Sequence, residues 1–304
     1  MSPTTPTPSN QQTGGTTATT DSPGTGGATA RPRRRLEPSI VIGGSLVALV
    51  VLAALLSLIW TPHDPIPVNV DDRLQPSSAE YLLGTDRYGR DVLSILMYGA
   101  RLTLLIGLTA VAVAAVLGVP AGIAAAMGGR RIDAFIMRIA DVALAFPALL
   151  LVIVFGAAFG AGTWTAVAAL GLAAAPSFAR VARAGALQVV GREYVTAARA
   201  ANRTPLYIAV RHVLPNISGL LIVQASVAFA IAVLAEAALS YLGFGTEPPT
   251  PSWGRLLQES QSYLYDHPML VVWPGIAIGI TVLGLNLLGD GLRDRFDPRM
   301  EGRR

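Results

Sequence analysis

Six long apolar stretches constrain this chain more than any other feature. They run from about Ser39 to Trp60, Leu102 to Met127, Ile132 to Phe159, Thr163 to Phe178, Ile217 to Phe244 and Pro268 to Leu288. About 20 apolar residues in a helix cross a bilayer. Only 14% of the 304 residues are charged, against about 25% in soluble domains. The expected fold is an all-α polytopic membrane protein with six transmembrane helices. A soluble globular enzyme is excluded.

The arginines set the expected orientation. All 23 basic residues are arginine. Arg31, Arg33, Arg34 and Arg35 precede the first span, which keeps the N-terminus in the cytoplasm. Alternating from there, 18 arginines fall on the inner side and 5 on the outer side, the latter being Arg73, Arg87, Arg90, Arg101 and Arg255. This positive-inside bias predicts a multi-pass protein of the cell (inner) membrane with both termini cytoplasmic. Residues 1–36 are rich in Ser, Thr, Gly and Pro, too polar to bury a core, and are expected to be a disordered tail. No apolar run follows early enough for a signal peptide. Residues 37–100 hold the first span and an outer segment. There Val92, Ile95, Leu96 and Gly99 predict an amphipathic helix in the outer interface. Residues 101–292 hold the other spans, with a polar outer loop from Gly245 to His267, and 293–304 form an inner tail.

One polar segment, residues 192–216, sits between apolar regions. Tyr194, Ala197, Ala198 and Ala201 share one helical face, while Thr196, Arg199 and Arg203 share another. Asn202 can take the left-handed geometry that ends a helix. Thr204-Pro205 reads as an N-cap followed by proline at the first helical position. Leu206, Ala209, Val210 and Val213 then repeat the helical spacing, and Leu214-Pro215 is expected to stop the second helix. Such a hairpin is too short to fold alone in water, so it must lie against the bilayer, the membrane helices or a partner.

Catalytic chemistry is absent from the pattern. There is no cysteine, and His63, His212 and His267 are too dispersed for a metal site. Without lysine no phosphate-binding loop of the Gly-Lys type can exist. The chain is expected to be no enzyme, to hold no cofactor and to bind no nucleic acid. Two acids fall within spans, where ionisable groups mark function by default. Asp141 is a pathway candidate or the partner of Arg138 one turn earlier. Glu236 either faces a pathway or partner or fastens helices together. The prolines at 120, 147, 176 and 274 either bend during transport or make static kinks. The Ala- and Gly-rich fourth span predicts close helix packing.

Four motifs carry a resemblance. Residues Thr196-Ala197-Ala198, Asn202 and His212-Val213-Leu214-Pro215 resemble the EAA loop of bacterial ABC importer permeases, with Thr196 and Asn202 in place of the usual Glu and Gly. Leu83-Gly84-Thr85-Asp86 with Gly89-Arg90-Asp91 and Ser94, Glu236-Ala237 with Leu239-Ser240, and Asn286 to Asp294 followed by Asp297-Pro298-Arg299 are similar to the dipeptide/oligopeptide (and nickel) class of that family. The resemblance covers about Tyr81 to Arg299 and implies the C-type permease subunit with the type I ABC importer fold. It implies a heterodimer with a B-type permease, cytoplasmic ATPase subunits and an extracytoplasmic substrate-binding protein. It also implies ATPase docking through Glu193, Thr196, Ala197, Ala198, Arg199, Asn202, Arg203 and Pro215. A secondary transporter or passive channel and a membrane anchor for signalling are the alternatives.

Overall fold

The computed structural model describes residues 38–160, 162–246 and 249–296. The expected N-terminal tail and residues 297–304 lie outside them. The described residues include ten α-helices: α1 (Pro38–Leu56), α2 (Val92–Met127), α3 (Gly129–Leu144), α4 (Ala148–Phe159), α5 (Thr163–Val190), α6 (Glu193–Ala200), α7 (Pro205–Ile208), α8 (Leu214–Tyr241), α9 (Trp253–Ser260) and α10 (Met269–Phe296). Among the described residues, five segments are long and apolar enough to cross a membrane, six if the bent pair α3–α4 counts as one.

The expected spans are recognisable, but four boundaries differ. The amphipathic helix expected at Val92–Gly99 is not separate: α2 runs unbroken for 36 residues, about 54 Å. Asp91 caps it, accepting from the Ser94 N–H at 2.9 Å. Val92 and Ile95 are buried against Leu256 of α9 and Leu270 of α10, so this apolar face meets protein rather than an interface. The third span is broken. Helices α3 and α4 meet at 83° around Pro147, which lacks an N–H and pushes its predecessor out of helical geometry.

The fourth span does not end near Pro176 but continues to Val190. One internal proline removes a single hydrogen bond, and close packing on α2 holds the helix together. A Cβ at Gly118 would collide with the Ala175 carbonyl, and one at Gly122 with the Ala179 carbonyl. The two backbones touch through small residues, making α2–α5 the most extensive helix contact.

Leu214-Pro215 likewise stops nothing. Helix α7 passes through a π-helical turn, Ala209–Val213, into α8, and the rod from Pro205 to Tyr241 is continuous. The Leu214 N–H reaches back five residues to the Ala209 carbonyl. That wider turn relieves the clash a proline ring causes with the carbonyl four residues earlier.

The expected outer loop also contains structure. Ser252 caps α9, accepting from the Arg255 N–H at 3.2 Å. Trp253 is 2% exposed and donates its indole N–H to the Leu96 carbonyl at 2.9 Å. A Cβ at Gly99 would strike that indole, so glycine there makes the seat for α9.

Candidate functional site

The polar hairpin is built from α6, α7 and the π turn. Helix α6 ends as the sequence predicts. Asn202 has φ of 55°, its N–H donates to the Arg199 carbonyl, and the Arg203 N–H donates to the Ala198 carbonyl at 3.1 Å. This paired Schellman pattern satisfies the last carbonyls of the helix. Thr204 then caps α7 through the Tyr207 N–H at 3.2 Å, with Pro205 in the first turn.

One side of the hairpin is anchored. Val195, Ile208 and Val213 are buried in a cluster with Phe178, Ala182 and Ala186 of α5 and Ile123 of α2. The face predicted from periodicity splits here. Ala198 packs partly on this cluster, whereas Tyr194, Ala197 and Ala201 are exposed. The inward face is set by Val195, because the membrane helices present their apolar ends to that side. No periodicity reveals what joins the arms: His212 lies between Tyr194 and Tyr207, with ring centroids 5.9 and 5.8 Å away. Arg203 lies over the Tyr207 ring at 5.2 Å.

The outward side is left uncovered among the described residues. Glu193, Thr196, Arg199, Arg203 and Pro215 are all exposed. Among apolar residues, Leu206 is 73% exposed and Val210 57%. An exposed apolar surface rimmed by charge marks a contact with another protein or with the membrane.

The intramembrane acids behave differently from each other. Asp141 does not pair with Arg138; it accepts from Arg180 of α5 at 2.5 Å. Both side chains are more than half exposed. Arg183, one turn further along α5, engages both oxygens of Asp133. The bend at Pro147 turns this face of α3 onto α5, which sequence spacing alone could not reveal. Glu236 is 2% exposed. It accepts from Ser240 at 2.8 Å, with the hydroxyls of Thr103 on α2 and Ser252 at α9 beside it. The Ser240 bond lies within α8, and the residues beside Glu236 come from α2 and α9.

A second charged centre was not foreseen. Arg90 is buried and donates to Asp86 and to Glu259, each at 2.7 Å. Arg255 joins Glu259 at 3.0 Å. The motif Asp86 to Arg90 thus ties the segment before α2 to α9, across 169 positions of sequence.

Residues 118–302 match the model of the binding-protein-dependent transport system inner membrane component family. The chain belongs to this family. It is a membrane-spanning permease subunit of a transport system. The permease is 45% identical to a putative peptide transport system permease of Brucella suis biovar 1, over 88% of this chain and 90% of the relative. It is 42% identical to the dipeptide transport system permease of Escherichia coli K12, over 86% of this chain and 89% of that one. The di/tripeptide transport system permease of Pseudomonas aeruginosa strain UCBPP-PA14 is 40% identical over 86% of this chain and 88% of that one. In fold the permease is similar to two inward-facing crystal forms of the MetNI methionine ABC transporter. TM-scores are 0.54 and 0.56 at 20% and 18% identity, covering 67% of this chain and 96% of the matched one.

Proposed function

We propose that this permease forms half of the translocation pathway of an ATP-driven peptide importer and receives the ATPase on its polar hairpin. The observation that carries the reading is the two-sidedness of residues 193–213. One side is locked into the membrane helices by Val195, Ile208 and Val213, and the other leaves Ala197, Ala201 and Leu206 exposed among the described residues. The continuous rod from Pro205 to Tyr241 would carry a push on the hairpin into the spans. Glu193, Arg199, Arg203 and the exposed Thr196 would meet the ATPase, Asn202 would hold the turn and Pro215 the entry to α8. Ala198 would act from the inward side by seating α6.

The arginine distribution supports cytoplasmic termini and a cytoplasmic hairpin. A B-type permease would supply the other half of the pathway, and a substrate-binding protein would deliver peptide from outside. The peptide class rests on the names of the relatives. We assign residues 1–36 as tail, 37–100 as first span and outer segment, 101–292 as the permease domain and 293–304 as the inner tail.

The test is Ala197→Asp, at an exposed position that the fold itself does not use. An unpaired charge buried in a docking contact is strongly unfavourable. Membrane level should stay normal while ATPase copurification and transport are lost. Ala198→Asp is the poorer probe, since it also disturbs the seating of α6. Normal ATPase retention and transport in Ala197→Asp would show that docking lies elsewhere.

A further inference from the structure

Helix α3 carries charge and apolar surface that the other described residues leave uncovered. On one side Asp133 and Asp141 reach α5. On the other, Ile132, Phe135, Ile139 and Val142 are 47–67% exposed and fall on one helical stripe. Arg131 and Arg138 flank that stripe and are exposed. Neither forms an ion pair among the described residues, because Arg180 and Arg183 occupy both acids of α3.

The direction of α3 is equally telling. Asp133 and Asp141 lie about 12 Å apart along α3, yet their partners Arg183 and Arg180 lie only about 4.5 Å apart along α5. Helix α3 therefore crosses α5 instead of running beside it. Helix α4 packs on α5 through Val152, against Val167 and Leu170, and α3 is bent 83° from α4. Arg180 and Arg183 sit about 26 and 30 Å along α5 from Thr163. That is the far edge of a hydrocarbon layer about 30 Å thick. A basic, amphipathic helix lying across a span at this depth has the design of an interfacial helix.

We infer that α3 lies in the plane of the cytoplasmic leaflet, with its apolar stripe in the acyl boundary and Arg131 and Arg138 bound to the headgroups of anionic phospholipids. The choice of leaflet rests on the orientation proposed above. The third span is then crossed by α4 and the Ala145–Pro147 link, not by a straight helix from Ile132. Charge complementarity selects the occupant: two unpaired guanidiniums beside exposed aliphatic and phenyl groups match an acidic headgroup above acyl chains.

The chain has no cysteine, so single cysteines from Arg131 to Ala143 can carry nitroxide labels. The assembled transporter is reconstituted in vesicles of phosphatidylcholine and phosphatidylglycerol. Collision with oxygen and with a water-soluble nickel chelate then gives the depth of each label. Depth should oscillate with the helical period, with Ile132, Phe135, Ile139 and Val142 about 5–10 Å below the headgroups and Arg131 and Arg138 shallow. A steady descent of about 17 Å from Arg131 to Val142 would mean a straight span and overturn the inference. Protection of the stripe from both reagents would mean a protein covers it, with the same consequence.

Headgroup choice is read separately, from a fluorophore at Phe135→Cys quenched by brominated lipids. Brominated phosphatidylglycerol should associate about 25-fold better than brominated phosphatidylcholine at low salt, about fivefold for each of the two arginines. Each of Arg131→Gln and Arg138→Gln should lower that preference about fivefold at low salt. These side chains are exposed and unpaired, so the substitutions leave the fold intact. A preference of one before any arginine is removed overturns the headgroup assignment. A label at Arg203→Cys reached only from outside overturns the orientation, and the leaflet with it, while the depth pattern stands.

Discussion

Replacing Arg90 with methionine should loosen α9 from the body of the permease. Methionine keeps an apolar stem of similar length but removes the guanidinium that joins Asp86 to Glu259. Asp86 is the less affected, because it also accepts the backbone N–H groups of Tyr88 and Arg90 at 2.8 and 2.9 Å. Glu259 keeps Arg255 at 3.0 Å, yet remains 7% exposed with one oxygen unmatched. Breaking a buried pair from one side costs about 3–5 kcal/mol. The surviving donors bring the expected cost to about 2–3 kcal/mol, or about 30- to 150-fold in the opening equilibrium. The cysteine-free chain makes this measurable in whole membranes. Leu256→Cys, a position 1% exposed on α9, should react with an impermeant maleimide only when α9 opens. Adding Arg90→Met should speed that reaction by the factor above. Further replacing Asp86 with asparagine and Glu259 with glutamine should slow it again, since neutral partners are cheaper to bury than stranded carboxylates. An acceleration below about fivefold, or costs that simply add, would refute the reasoning.

Other expectations follow from packing, exposure and charge. Gly122→Leu should destabilise the α2–α5 contact by about 1–3 kcal/mol or more, seen as a lower thermal midpoint, while Gly44→Leu should not, because a Cβ at Gly44 meets nothing within 4 Å. Asp141→Asn should change stability by less than about 0.5 kcal/mol, since its pair with Arg180 is more than half exposed. Asp133→Asn should cost more in the same thermal measurement, because its two-oxygen contact with Arg183 is two-thirds or more buried. A label at Arg203→Cys should be reached only from the cytoplasm and one at Tyr265→Cys only from outside; Tyr265 is 96% exposed and Ser252, on the same connection, is fully buried.

Local chemistry was legible where the signal is short-range. Asn202 ends α6 and Thr204-Pro205 starts α7 because a left-handed residue and an N-cap act within one turn of chain. Leu214-Pro215 misled for the complementary reason. Whether a proline ends a helix depends on whether the previous turn can widen, and the π turn at Ala209–Val213 is stabilised by burial of Val213. The side of the hairpin that meets the membrane helices, set by Val195, was not legible because periodicity groups residues on a face without saying what that face meets. The Asp86–Arg90–Glu259 centre went unseen because no periodicity links residues 169 positions apart.

The sequence by itself determined that this chain lives in a membrane and which family of transport permeases it belongs to. Long uncharged runs have no stable alternative to burial in lipid, and four spaced motifs identify the family. The tertiary structure alone decided the breaks and the partners: the 83° bend at Pro147, the α2–α5 contact through Gly118 and Gly122, and Asp141 paired with Arg180 instead of Arg138. Inside a bilayer apolarity is satisfied everywhere along a span, so hydropathy cannot choose between neighbours. Close packing and the pairing of the few charges make that choice, and both depend on residues that only folding brings together.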